Sequence, residues 1–194
     1  MFSDAARRWA TGFLQGTARV FLKLHVTPNM LTFGAFWVVA SVAVVIAQGY
    51  FRLAGLLLLL TVWFDAVDGT LARMSDQVTP FGAFLDATLD RYAEGILYFG
   101  LLVYYTRHHQ EIPILLIYLT IVGSLIISYA RAKAESVNIP VREGLLTRFE
   151  RLAILILGLL FNRVEWALWI LAPLTNFTAV QRMVIAWQRS RFRG

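Results

Sequence analysis

Apolar runs and polar breaks alternate along the chain six times. Leu31–Ala47 is 17 residues without a charge, close to the shortest stretch that crosses a bilayer as a helix. Gln48-Gly49-Tyr50 is a brief turn, and a second apolar run starts near Arg52 and continues through Phe64. The polar loop Ser75-Asp76-Gln77-Val78-Thr79-Pro80 follows, with Pro80 placed to open the next helix, since proline is tolerated in a first helical turn. A third span covers Phe81–Tyr105, and Arg107-His108-His109-Gln110-Glu111 separates it from a fourth, Ile112–Ala130. The connection Arg131–Arg151 is long and basic, and its Asn138-Ile139-Pro140 breaks a helix. Leu152–Phe161 is a short fifth span, unless its helix begins near Leu145. Asn162-Arg163 turns the chain, and Trp166–Trp187 is the sixth.

Ahead of these spans, residues 2–24 set Phe2, Trp9, Phe13, Val20, Phe21 and Leu24 among Asp4, Arg7, Arg8, Arg19 and Lys23. That mixture suits a helix lying in the membrane interface, and Pro28 fixes a turn before the first span. The predicted fold is therefore all-α and integral to a membrane: six transmembrane helices preceded by an N-terminal amphipathic interfacial helix. A single domain is expected, with 1–26 as the juxtamembrane helix, 27–188 as the six-helix bundle and 189–194 as a basic tail.

Composition agrees with this pattern. Hydrophobic residues make up 58% of the chain and mean hydropathy is +0.63, too high for a soluble globular protein. There is no cysteine, so disulfides and thiolate metal sites are excluded, and any metal is held by oxygen or histidine. Residues 1–23 lack the short basic start, apolar run and cleavage site of a signal peptide, and the chain is expected to be retained whole. The net charge of +6 suits nucleic acid or anionic lipid, but on six spans it reads as the positive-inside bias. Of the 18 Lys and Arg, only Arg52, Arg107 and Arg163 fall on one side. The other 15 fall with both termini, the loop after the second span and the 131–151 connection. The bias places all of these in the cytoplasm, in a multi-pass protein of the cell membrane, with no nucleic-acid partner.

Against this apolar background, Asp65, Asp68, Asp86 and Asp90 fall within 26 residues. Carboxylates are unfavourable at membrane depth and mark function when they occur there. Asp65 and Asp68 are three apart and Asp86 and Asp90 four apart, so each pair shares one helix face. Gly69 and Ala72 remove bulk on one helix and Gly82 extends the other stripe, allowing close approach of a helix or a flat ligand. Four such charges repel in a low dielectric. Hard divalent cations relieve that repulsion and complete their shells with substrate phosphate, and two such ions fit the charge. Pairing with Arg73 and Arg91, or capping of helix ends, accounts for one such aspartate but not for four in face-matched pairs. A proton or ion relay is the stronger rival, but it leaves Arg73 and the small residues without a role. His108, His109 and Glu111 lie on the opposite side and read as solvated loop residues.

The pattern Asp65-x2-Asp68-Gly69-x2-Ala72-Arg73-x8-Gly82-x3-Asp86-x3-Asp90 resembles, at every defined position, the signature of the CDP-alcohol phosphotransferases, or CDP-alcohol phosphatidyltransferases. Pro28-Asn29 with Thr32 resembles the element that precedes that family's first span, so the likeness covers nearly the whole chain. It implies attack of an alcohol hydroxyl on the β-phosphorus of a CDP-linked lipid, with release of CMP. It also implies that Asp65, Asp68 and Asp86 ligate two Mg²⁺ or Mn²⁺ ions. By the same resemblance Asp90 lies near the metals and acts as the general base. The resemblance likewise implies that Asp68, Gly69, Ala72, Arg73 and Gly82 form the CDP-lipid site and that Asn29 and Thr32 meet the pyrophosphate. A homodimer is implied as well.

The acceptor half reads less directly. Ser128-Tyr129-Ala130-Arg131-Ala132-Lys133-Ala134-Glu135, then Arg148-Phe149-Glu150-Arg151, then Gln181-Arg182 bring cations to the cytoplasmic face. Forked, permanently charged guanidinium groups suit a phosphorylated acceptor, although some of these charges serve the positive-inside bias alone. Arg131, Arg148 and Arg182 are favoured as lying at helix ends. The pattern resembles the family branch that makes phosphatidylinositol phosphate, or its archaeal ether-lipid counterpart, from inositol 1-phosphate. That resemblance implies acceptor-phosphate binding by Arg131, Lys133, Arg148, Arg151 and Arg182, and leaves open which of Arg131 and Lys133 points inward. Glycerol 3-phosphate, giving phosphatidylglycerol phosphate, is the alternative acceptor, and a cation or proton transporter the alternative class.

Overall fold

The computed structural model describes residues 28–74, 79–141 and 143–191, with the backbone alone at 28, 29 and 63–74. The interfacial helix expected before residue 27 lies outside the described residues. Among the described residues six α-helices run in order: α1 (Pro28–Ala47), α2 (Phe51–Met74), α3 (Pro80–Arg107), α4 (Glu111–Ser136), α5 (Arg148–Leu160) and α6 (Val164–Arg191). The described residues contain no strand. Met30–Ala47, Glu111–Ser136 and Val164–Arg191 are each long and apolar enough to cross a membrane, and Phe51–Val62 is a shorter apolar stretch. The protein has an all-α, multi-pass membrane fold.

Local chemistry accounts for the ends of these helices. Pro28 is the first residue of α1 rather than part of a turn before it, because its fixed φ is preset for the first helical position. Pro80 opens α3, and the Thr79 hydroxyl accepts the Gly82 N–H at 3.0 Å, satisfying one of the orphan donors of the first turn. α4 ends at Ser136, where Asn138 takes a positive φ of 60° and Pro140 prevents continuation. Thr147 and Glu150 form a capping box at the start of α5: the Glu150 carboxylate accepts the Thr147 N–H at 2.7 Å and is bonded by its hydroxyl. α6 continues through Pro173 to Arg191, so Arg189 and Arg191 are helical.

The structure contains two compact units. One combines the chain up to Val42 with Leu57–Leu97, and the other combines Ala43–Leu56 with Tyr98 onward. In the first, Val39 and Val42 of α1, Leu58 and Thr61 of α2, and Ala93 and Leu97 of α3 are buried. In the second, α4 packs along α6, and α6 against α5. Lipid tails are as apolar as leucine, so close packing and hydrogen bonds hold such helices together. A Cβ on Gly123 of α4 would stand 2.7 Å from the Thr175 Cβ of α6, and beside that contact Asn176 Nδ2 donates to the Leu119 carbonyl at 3.0 Å. The buried hydroxyls of Thr120 and Thr175 donate to Leu116 and Leu171 of their own helices, at 2.7 and 2.8 Å. Both threonine hydroxyls are thereby satisfied in an environment that supplies no water, whereas the buried Ser124 hydroxyl of α4 has no hydrogen-bond partner among the described residues.

Candidate active site

The first unit carries the aspartates. On α3, Gly82, Asp86 and Asp90 follow one another at four-residue steps, and Ala93 and Leu97 continue the same face. Burial deepens along this stripe: Asp86 is exposed, Asp90 retains 21% of its side-chain surface, and Ala93 and Leu97 fall to 7% and 3%. The polar end of the face is thus open and the apolar end packed. Asp90 Oδ2 lies 3.7 Å from Arg91 Nη2, a loose and partly exposed pair of the kind that adds little stability. Asp86 makes no ion pair among the described residues.

Asp65, Asp68, Gly69 and Ala72 occupy register positions i, i+3, i+4 and i+7 of α2, one side of that helix. Arg73 follows, one residue before the helix ends. The side chains of these five residues, and that of Asn29 in the first turn of α1, lie outside the described residues. Thr32, also in α1, is half-buried. No three acidic or histidine side chains converge as a metal set among the described residues. Asp86 and Asp90 nevertheless put two carboxylates, with no histidine beside them, on the open end of one face. Such oxygen donors fit a hard divalent cation.

The second unit carries the cations. Arg131 and Lys133 belong to α4 and are exposed. Arg131 Nε donates to Glu135 Oε1 at 3.0 Å, whereas Lys133 makes no ion pair among the described residues. Arg148 is the first residue of α5 and half-buried, and Arg151, one turn on, is 1% exposed.

Arg182 differs from its expected placement at a helix end. It lies well inside α6, 4% exposed, and donates from Nη1 to the Ile127 carbonyl at 2.8 Å and from Nε to the Glu143 carbonyl at 3.2 Å. Two of the guanidinium's five N–H donors therefore tie α6 to α4 and to the α4–α5 connection. Sequence reasoning missed the partners of that connection. Thr178 and Gln181 accept its backbone N–H groups, and Arg189 pairs with the Glu143 carboxylate. Their helical spacing was visible, but a backbone group as partner has no sequence signature. His108 is held by its own helix, its Nδ1 2.8 Å from the Tyr104 carbonyl and its ring against that of Tyr104.

Comparison with known proteins adds to this geometry. Residues 25–181 match the family described as CDP-alcohol phosphatidyltransferase. The phosphatidylinositol phosphate synthase of Corynebacterium glutamicum is 36% identical over 190 residues, covering 93% of this chain and 86% of that protein. The archaetidylinositol phosphate synthase of Pyrococcus horikoshii is 31% identical, covering 91% and 92%. Among solved structures, Mycobacterium tuberculosis phosphatidylinositol phosphate synthase with CDP-DAG bound is similar at a TM-score of 0.85 and 29% identity, over 90% of this chain and 93% of that one. The same enzyme in complex with manganese and citrate matches at 0.85 and 28%, over 90% and 88%.

Proposed function

The chain belongs to the CDP-alcohol phosphatidyltransferase family, and we propose that it transfers a phosphatidyl group, or its ether-lipid equivalent, from a CDP-linked lipid to inositol 1-phosphate. The observation that carries the choice of acceptor is the agreement of a bacterial and an archaeal relative. Each aligns over more than nine-tenths of this chain, and each is named for an inositol phosphate lipid. The cations of the second unit support a phosphorylated acceptor, because a neutral alcohol has no need of Arg148, Arg151 and Arg182 together.

Asp90 takes the proton of the acceptor hydroxyl as that oxygen attacks the β-phosphorus of the donor. The bond from this phosphorus to the bridging oxygen breaks, and CMP leaves with the electron pair. Asp65, Asp68 and Asp86, with Asp90 beside them, hold the divalent cations, Mg²⁺ or Mn²⁺. Bound there, these neutralise the pyrophosphate and polarise the β-phosphorus. Gly69, Ala72 and Gly82 leave room for the cytidine next to Asp68, Arg73 meets the donor phosphates, and Asn29 and Thr32 contact the pyrophosphate. Arg148 and Arg151, one helical turn apart, bind the acceptor phosphate with Arg182, whose guanidinium is anchored before any ligand arrives. Of the two α4 cations, Lys133 is the stronger candidate, because Arg131 is engaged by Glu135.

The enzyme works in the cell membrane as a homodimer, with both termini and the site in the cytoplasm. The deciding experiment gives the purified protein a CDP-lipid together with labelled inositol 1-phosphate, glycerol 3-phosphate and free inositol in competition. Inositol 1-phosphate should dominate the product, with CMP release abolished by a chelator and restored by Mg²⁺ or Mn²⁺. Preference for glycerol 3-phosphate would reassign the acceptor, and preference for free inositol would overturn the phosphate pocket.

A further inference from the structure

The segment joining α4 to α5 has little regular structure of its own, so its backbone groups need partners from elsewhere. It finds them on one stripe of α6. Gln181 Oε1 accepts the Leu145 N–H at 3.0 Å, and Thr178 Oγ1 accepts the Leu146 N–H at 3.3 Å. Arg182 Nε donates to the Glu143 carbonyl at 3.2 Å. Arg189 donates from Nη1 to the Pro140 carbonyl and from Nη2 to the Glu143 carboxylate, the latter at 2.7 Å. Thr178, Gln181, Arg182 and Arg189 stand at i, i+3, i+4 and i+11, on one face of the helix. The connection lies so close to that face that a Cβ on Gly144 would sit 2.9 Å from Arg182 Nε and 3.1 Å from Thr178 Cγ2. Val141 and Leu146 are buried at either end of the clamped stretch, 0% and 5% exposed. The next residues are the Thr147 cap, Arg148 and Arg151.

We propose that Gln181 and the Arg189–Glu143 pair are positioning residues for the acceptor. They touch no substrate; they hold the α4–α5 connection so that α5 presents Arg148 and Arg151 in a fixed place. This rests on the reading that the acceptor phosphate binds those arginines. Order imposed in the free enzyme is order that need not be imposed on binding, and it appears as affinity for the ligand whose site the segment carries. Arg189 has a second effect. Glu143 is the only carboxylate between Val137 and Thr147, and the guanidinium offsets its negative charge next to a site meant for a dianion.

The test measures acceptor KM, CDP-lipid KM, kcat and thermal unfolding for Gln181→Met, Arg189→Ala, Arg189→Lys and Arg189→Ala/Glu143→Gln, with Arg148→Ala as reference. Gln181→Met and Arg189→Ala should each raise acceptor KM roughly tenfold while donor KM and kcat stay within about twofold, the pattern of lost acceptor binding. Arg189→Lys should recover most of the loss, and Glu143→Gln should suppress part of it in the Arg189→Ala background. If Arg148→Ala raises acceptor KM but Gln181→Met and Arg189→Ala leave it unchanged, the positioning role is wrong and the acceptor site stands. If Arg148→Ala has no effect on acceptor KM, the acceptor reading itself fails. A fall in kcat with both KM values unchanged and a lowered unfolding temperature would reduce the contacts to a purely structural role, and so overturn the proposal.

Discussion

Asp90 combines a carboxylate with a position between open and packed surface, 21% exposed and one turn above the buried Ala93. There it can meet a water-borne hydroxyl without being fully solvated. Asp90→Asn keeps the size and one oxygen donor but cannot accept the proton. Turnover should fall by roughly 10²–10⁴-fold, the usual contribution of a positioned acid or base, while CDP-lipid binding, followed with a labelled donor, persists. Undiminished turnover would assign the base elsewhere. The Asp stripe was legible because a helix converts spacing directly into a face. Arg182 was not, because its cationic character is written in the chain but the carbonyls of Ile127 and Glu143 that receive it are not. For the same reason Arg189 read as part of a tail, whereas it is a helical residue bound to Pro140 and Glu143.

Among the elements, α4 and α6 depend on each other through small side chains. Gly123→Ala places a methyl group 2.7 Å from Thr175 Cβ, and neither helix can recede without breaking the Asn176–Leu119 bond. Overpacking of this kind costs about 1–3 kcal/mol, and unfolding by heat or denaturant in detergent should detect it. Thr175→Ala should relieve part of the strain in the double variant. The six elements themselves were legible from the alternation of apolar and polar stretches, but their ends were not: α4 runs to Ser136 rather than Ala130, and α5 begins at Arg148, between the alternative starts at Leu145 and Leu152. Hydropathy registers only the segment inside the hydrocarbon. Backbone hydrogen bonding continues past it until a cap or a proline intervenes, as at Thr147 and Pro140.

For the whole molecule, the division of 18 Lys and Arg into fifteen on one side and three on the other makes orientation a direct prediction. The chain has no cysteine, so single introduced thiols report without background. In intact cells a membrane-impermeant maleimide should label Gln110→Cys, in the α3–α4 turn, and spare Ser136→Cys, at the far end of α4. The reverse labelling would invert the protein and remove the site from the cytoplasm.

The graded face of α3 bears on how this catalyst meets its lipid. From the exposed Asp86 to the packed Leu97 the helix advances 11 residues, about 16 Å at 1.5 Å per residue, and with Asp86 and Asp90 in their proposed roles this gradient suits carboxylates at the headgroup layer above an apolar stem. On the proposed function, a two-tailed donor would reach them by lateral diffusion, without extraction from the bilayer, and a polar acceptor would reach them without leaving water. The encounter with the donor would then be two-dimensional. Its rate should follow the mole fraction of CDP-lipid among its neighbours, so adding inert phospholipid should slow the reaction even when the amount of donor per millilitre is unchanged.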